Sequence, residues 1–238
     1  IKNSKKHTQI NYLDKAIKTY KSPKNQVTIA MCGKYNSLHD AYKSILEAFI
    51  HSGIDNDAKV NVKWLDTEQF EKDMNFKVFE GIDGILIPGG FGYRGIEGKI
   101  MAAQYARENN IPFLGICLGM QCAVIEFARN ICNLKNSNST EFDVTTKYPV
   151  IDLMPSQKKV IDKGATMRLG KYSCTLSKKG NAYKAYSKIN INERHRHRYE
   201  VNNRYKKQLE KKGLLITGVN KKLDLVEIVE IKEHNWFV

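Results

Sequence analysis

Three short apolar runs, each followed by a turn and a segment with helical periodicity, constrain the fold more than any other feature of the sequence. The runs cover residues 27–31, 84–87 and 112–116, and the amphipathic segments cover 41–51, 96–108 and 119–129, with a further strand and helix at 59–64 and 68–74. Apolar residues at helical spacing predict helices, and strands that are apolar on both faces belong to parallel sheets covered on both sides. We therefore predict an α/β domain with a doubly wound, mostly parallel sheet and helices on both faces.

The pattern changes beyond Asn133. Short β-compatible pieces alternate with turns at residues 170–177, 195–201, 214–219 and 225–231, and one helix is predicted at 204–211. A short polar turn that begins Asn220-Lys221-Lys222 separates the last two pieces, which is typical of a hairpin. We expect a small additional β-rich segment in the C-terminal half.

Composition excludes several classes of protein. With 42% hydrophobic residues in 238 and no biased tract, the chain is neither disordered nor repetitive, and no apolar run approaches the length of about 20 residues needed for a membrane helix. The five cysteines form no CxxC pair, so neither a disulfide framework nor a zinc site is predicted, and we expect no metal. A reducing, cytoplasmic location is the default expectation.

The charge is strongly positive but uneven. Lys and Arg exceed Asp and Glu by 39 − 25 = +14, of which +6 lies in residues 1–25, −4 in 26–155 and +12 in 156–238. Scattered lysines favour a solvated surface over a nucleic-acid site, so we expect no nucleic acid and no membrane as partner. Residues 1–25 resemble a basic linker with one short helix at 12–20, which would join residues 26–238 to an upstream domain.

The segment from Gly115 to Gly119 has the layout of a nucleophile elbow, with Cys117 between a strand and a helix and glycine two residues away on either side. Side chains at those two positions would collide with the neighbouring strand and helix. The helix N-terminus should lower the pKa of the Cys117 thiol and offer the Leu118 N–H to an oxyanion. The alternative is a buried structural cysteine, which is also our interpretation of the remaining four.

Two other segments carry polar chemistry. The glycine-rich turn at 87–92 lets backbone N–H groups approach a ligand, with Gly90 as a second oxyanion donor; a phosphate-binding or merely tight turn is the alternative. In the segment 194–199 three arginines alternate with His195, His197 and Tyr199. By itself this segment could supply a base for Cys117 or bind RNA.

The segment Gly115–Gln121 resembles the class I glutamine amidotransferases. Further blocks are similar, in the same order, to the glutaminase domain of the CTP synthases, and they begin at Cys32, Asp40, Pro88, Asn138, Thr166 and Glu193.

This resemblance implies that Cys117 attacks the side-chain amide of glutamine, forms a thioester and releases ammonia. It also implies that Gly90 and Leu118 donate to the oxyanion, and that glutamine binds to Gly90, Phe91, Leu118, Gln121, Glu141 and Arg198. A zwitterionic amino acid needs a carboxylate and an arginine fork, which agrees with the last two. A GTP-responsive lid is expected from Phe91, Arg94, Met167, Arg168, Leu169 and Gly170.

For the whole enzyme, the resemblance implies an N-terminal synthetase domain that aminates UTP to CTP with ATP and Mg²⁺, with GTP as activator. No cofactor is expected in this domain, and a homotetramer, with filaments at full length, is expected. The alternatives are another class I amidotransferase, such as GMP synthetase, or a catalytically silent assembly module.

One departure from the family concerns the catalytic base. The family's His and Glu lie in a Gln-Phe-His-Pro-Glu block that would follow Val238, so the sequence is expected to be truncated before it. His234 is a poor substitute, because it precedes the last strand. The loop at 155–164 also looks short for the family.

Overall fold

A computed structural model describes residues 4–34, 39–153 and 167–238 of the chain, with the side chains of 4–12 and 39 left aside. The helices are α1 (Ser4–Lys21), α2 (Lys43–Asp55), α3 (Thr67–Asp73), α4 (Ile96–Glu108), α5 (Leu118–Asn130), α6 (Asn181–Tyr186) and α7 (Lys206–Lys211). Short 3₁₀ helices cover His39–Tyr42, Phe76–Phe79 and Asn203–Tyr205. Across these ranges, no helix combines the length and apolar character needed to cross a membrane.

The strands form three sheets. They are β1 (Asn25–Gly33), β2 (Ala58–Asp66), β3 (Gly84–Ile87), β4 (Phe113–Gly115), β5 (Asn138–Ser139), β6 (Pro149–Leu153), β7 (Arg168–Leu176), β8 (Asn190–His197), β9 (Tyr199–Val201), β10 (Leu214–Asn220) and β11 (Leu225–Ile231). The first four make a wholly parallel sheet, which confirms the predicted parallel arrangement, and their order is β2-β1-β3-β4. Residues 236–238 run parallel to the outer edge of β4 through the Phe113–Phe237 bridge.

Both faces of the parallel sheet are covered, because successive side chains of each buried strand point to opposite sides. Met31 and Leu86 pack beneath α2 with Tyr42. Ala30, Ile85 and Ile87 face the opposite layer, where α3 and α4 supply further apolar side chains. This arrangement confirms the prediction of helices on both faces.

The C-terminal half adds two further sheets, one of four strands and one of three. One is antiparallel in the order β11-β10-β7-β8, and the other has the order β5-β6-β9. The hairpin of β10 and β11 is confirmed. The single strand predicted at 195–201 is wrong, because the chain divides at Arg198 and its two parts join different sheets. The short elements β5, β6 and α6 were not predicted.

The N-terminal helix is longer than expected. α1 runs from Ser4 to Lys21, whereas apolar periodicity predicted only 12–20. No glycine or proline interrupts the chain before Pro23, so polar residues extend the helix without an apolar stripe of their own.

Helix α5 lies at the centre of the molecule. Ten of its 13 residues are buried, so it is held on several sides at once. Val124, Ile125 and Phe127 pack with Val150 of β6 and Leu214 of β10. This packing fixes the helix whose first turn carries the candidate nucleophile.

Candidate active site

Cys117 occupies the turn between β4 and α5, as the elbow pattern predicted. Its backbone lies at φ 56° and ψ −102°, a conformation that residues other than glycine rarely adopt. A Cβ on Gly115 would come within 2.7 Å of the Gly119 carbonyl carbon, and one on Gly119 would strike the carbonyl oxygen of Ile87 in β3. The two glycines therefore let strand, turn and helix approach closely enough to hold the cysteine in its strained conformation.

The thiol of Cys117 accepts hydrogen bonds from two backbone N–H groups, those of Leu118 and Gly90. These bonds lower the pKa of the thiol, but burial raises it by more, and the carboxylates of Glu200 and Glu141 raise it further. The expectation of a lowered thiol pKa is therefore wrong, since desolvation of the thiolate exceeds the help from the helix end. The two donors do converge on one point, as an oxyanion site requires.

The glycine-rich loop at 88–95 is tied to its surroundings along its length. Lys34 Nζ donates to the Phe91 carbonyl oxygen, and the Gly92 N–H donates to Glu141 Oε1 at 3.0 Å. Arg94 pairs with Glu68 at 3.4 Å on the surface. These contacts fix the loop, which places the Gly90 N–H next to Cys117.

The residues predicted to hold the amino-acid end of glutamine lie near one another. Gln121 is buried, and its Nε2 donates to the Tyr199 carbonyl oxygen at 3.2 Å. Glu141 raises and Arg198 lowers the pKa of Tyr199, although burial has the larger effect, so both charges lie close to that ring. Glu141 also acts on the Cys117 thiol. The structure therefore gathers Cys117, Gln121, Glu141 and Arg198 in one region.

A buried charged network of Arg168, Glu200 and Glu227 borders the same site, and sequence reasoning did not predict that these residues pair. Arg168 donates to Glu200 Oε1 and to Glu227 Oε1, each at 2.7 Å, and all three side chains are almost fully buried. Burial raises the pKa of Glu200 to about 7 despite the arginine. The cluster joins β7, β9 and β11 across two sheets.

The predicted lid residues differ in how far they are exposed to solvent. Phe91, Arg94 and Leu169 are exposed, and Gly170 has a positive φ of 102°. The prediction for Arg168 needs correction, since its guanidinium is 3% exposed and held by two carboxylates, which does not fit a solvent-facing lid. Met167 is partly buried, while Thr166 and the loop at 155–164 lie outside the described residues.

A cavity of about 590 Å³ opens beside Cys117, lined among others by His195, His197, Trp236 and Val238. Burial, with nearby positive charge, lowers the pKa of both His195 and His197 to about 4. His234 lies elsewhere, with its Nε2 3.0 Å from the Ala106 carbonyl oxygen. In the ranges that the structure covers, no group of three or more His, Cys, Asp or Glu side chains is placed to hold a metal ion.

Comparison with known proteins agrees with this geometry. The sequence profile described as "Glutamine amidotransferase class-I" matches residues 37–238. The CTP synthase of Clostridium acetobutylicum is 58% identical over 222 residues, 93% of this chain and 42% of the relative, and that of Pelodictyon phaeoclathratiforme is 60% identical over 215 residues, 90% and 38%. The solved structure of the Trypanosoma brucei CTPS glutaminase domain with bound acivicin has a TM-score of 0.82 at 39% identity, covering 89% of this chain and 83% of that one.

The chain therefore belongs to the class I glutamine amidotransferase family. Within that family it is similar to the glutaminase domain of CTP synthases, in sequence and in structure. It spans about two fifths of the length of the curated relatives it matches.

Proposed function

We propose that this domain hydrolyses glutamine through a thioester on Cys117 and thereby supplies ammonia. The observation that carries the proposal is the elbow thiol held between the N–H groups of Gly90 and Leu118. Cys117 Sγ would attack the amide carbon, and the two N–H groups would stabilise the negative oxygen that forms. Ammonia leaves once its nitrogen is protonated, and water then cleaves the thioester to glutamate.

A base must take the thiol proton, because burial raises the pKa of Cys117 and keeps the thiol protonated. In the family this base is the His of the block that follows the segment 233–238. Residues 236–238 run parallel to β4, at whose carboxyl end Cys117 lies. The strand direction thus favours a base supplied from the continuation of that strand over His234, which lies against α4.

Glutamine recognition is assigned to opposite charges beside the thiol. Glu141 would bind the α-ammonium and Arg198 the α-carboxylate, with Gln121, Phe91 and the N–H groups of Gly90 and Leu118 completing the pocket. The bound acivicin, a glutamine analogue, in the Trypanosoma brucei neighbour supports a glutamine site here.

We expect Glu141→Gln and Arg198→Met, each tested in the full-length protein, to raise the KM for glutamine about 10- to 150-fold with a smaller change in kcat. Each variant loses a charge-assisted hydrogen bond worth about 1.5–3 kcal/mol at the end of the substrate that does not react. Steady-state glutamate release measures both constants. Glu233→Gln and Arg204→Met are matched controls on exposed side chains. Unchanged glutamine KM values in both site variants would exclude these residues from the pocket.

For the whole protein, we propose ATP- and Mg²⁺-dependent amination of UTP to CTP, activated by GTP. Residues 1–25, which include α1, would link this domain, residues 26–238, to an N-terminal synthetase domain of the same polypeptide. A homotetramer, filaments and a cytoplasmic location belong to the same proposal. The names and lengths of the relatives support the CTP synthase activity and the additional domain.

The test is the transfer of nitrogen. Full-length protein receives glutamine labelled with ¹⁵N in the amide, together with UTP, ATP, Mg²⁺ and GTP, and mass spectrometry follows the label. We expect ¹⁵N in the amino group of CTP and glutamate in equal amount. Label in GMP when xanthosine monophosphate replaces UTP would favour the rival amidotransferase, and no glutamate release would indicate a silent module.

A further inference from the structure

Lys99 on α4 is a buried cation that the proposed mechanism does not use. It is 2% exposed, and burial lowers the pKa of its ammonium. Its Nζ donates to Thr67 Oγ1 at 3.0 Å and to the Gly95 carbonyl oxygen at 3.2 Å. Within the part of the chain that the structure describes, no carboxylate forms an ion pair with it. An ammonium that is buried with only neutral acceptors costs folding free energy, so its presence needs another reason.

Lys99 lies close to the backbone that carries the proposed oxyanion donors. A small cavity of about 20 Å³, enough for one water molecule, is lined by Lys99 together with Gly89, Gly90 and Leu118. The N–H groups of Gly90 and Leu118 also act on the Cys117 thiol. Lys99 and the two proposed oxyanion donors therefore line one small cavity.

The hydrogen bonds of Lys99 also hold the end of the glycine-rich loop. Gly95 closes that loop and caps α4 with a φ of 65°, and a Cβ there would strike Thr67 Oγ1. Thr67 Oγ1 in turn donates to the Gly33 carbonyl oxygen at 3.2 Å. Lys99 thus ties the loop to the start of α3 and the end of β1.

We propose that Lys99 is a positioning residue, whose ammonium holds the loop at 88–95 so that the Gly90 N–H points at the oxyanion formed on Cys117. This inference rests on the proposed glutaminase function. The ammonium acts through its hydrogen bonds to Thr67 Oγ1 and to the Gly95 carbonyl oxygen, which fix the end of the loop.

The decisive variant is Lys99→Met, which keeps the length of the side chain and removes its charge and donors. Both acceptors retain another partner, since the Gly95 carbonyl still accepts the Lys99 backbone N–H and Thr67 still donates to Gly33. Folding should therefore survive, and the melting temperature should be equal to or above that of the wild type, because a buried unpaired charge is gone. A residue kept for stability alone would give the opposite change.

Activity should separate from stability in this variant. In the full-length protein we expect kcat for glutamine hydrolysis to fall about 10- to 100-fold, with the glutamine KM changed less than about threefold. Alkylation of Cys117 by iodoacetamide should keep its rate, because that displacement forms no oxyanion. CTP formation from free ammonia should also be unchanged.

Two further variants test whether Lys99 acts through the hydroxyl of Thr67. Thr67→Val removes the hydroxyl that Lys99 binds and should lower kcat in the same direction, without adding to Lys99→Met in the double variant. Thr67→Ser keeps the hydroxyl and should restore most of the activity, while Lys77→Met is a matched control on an exposed lysine.

The inference is wrong if Lys99→Met hydrolyses glutamine at a rate close to that of the wild type. It is equally wrong if alkylation, ammonia-dependent synthesis and glutamine hydrolysis all fall together, since the loss would then be general damage. The proposed function fails by a different result, namely no glutamine hydrolysis by the wild type.

Discussion

Cys117→Ala in the full-length protein is expected to lower glutamine-dependent CTP formation by about 10⁴- to 10⁶-fold, the scale seen when the nucleophile of a catalytic triad is removed. Without Sγ no thioester forms, and the hydrogen bonds from Gly90 and Leu118 have no reacting group to serve. CTP formation from ammonium chloride should be largely retained, because that route needs no glutaminase.

The measurement compares both nitrogen donors at saturating UTP, ATP and GTP. Cys132→Ala is the matched control, since Cys132 is a buried cysteine beyond the end of α5, away from the elbow. Equal loss with glutamine and with ammonia in Cys117→Ala would mean that this cysteine is structural. A near-normal rate with glutamine would remove it from the mechanism altogether.

The elbow could be predicted from the sequence because its physics is local. A buried strand, a nucleophile, a helix start and two glycines at fixed offsets leave one arrangement in which the backbone fits. The structure bears out the reason for each glycine, since Gly115 meets the start of α5 and Gly119 meets β3. The parallel sheet was predictable for a similar reason, because each apolar strand is recognisable by itself.

The net pKa of Cys117 was not predictable in this way. The help from the helix N-terminus is local and visible in the sequence, whereas the burial that exceeds it depends on how distant segments such as the loop at 88–95 pack against Cys117. Likewise, β5 has two residues and no apolar pattern of its own, so only its pairing with β6 defines it.

Arg168 illustrates the same limit for a single side chain. In the sequence it lies in a block that resembles the family's lid, and arginine is usually exposed. Its two partners, Glu200 and Glu227, are 32 and 59 residues away, and only the pairing of β7 with β8 and the placement of β11 bring them together. No local sequence pattern predicts such a buried charged network.

The buried charged network of Arg168, Glu200 and Glu227 leads to a second large effect, which is on stability. We expect Arg168→Met to lower the free energy of unfolding by about 3–5 kcal/mol near pH 8, because it leaves two buried carboxylates without their partner. Lys171→Met, on an exposed position of the same strand, should change it by less than about 0.5 kcal/mol. Urea unfolding of both variants, followed by circular dichroism, measures the difference.

The loss of unfolding free energy in Arg168→Met should become smaller as the pH falls to about 6. The direction follows from the linkage between protonation and folding. Burial already raises the folded-state pKa values of Glu200 and Glu227 above their unfolded values, and removing the arginine that lowers them raises them further. The folded variant then binds more protons than the unfolded chain, so its stability declines with rising pH. Adding Glu227→Gln to Arg168→Met should recover part of the loss at high pH, whereas wild-type stability of Arg168→Met at both pH values would show that the network contributes nothing to folding.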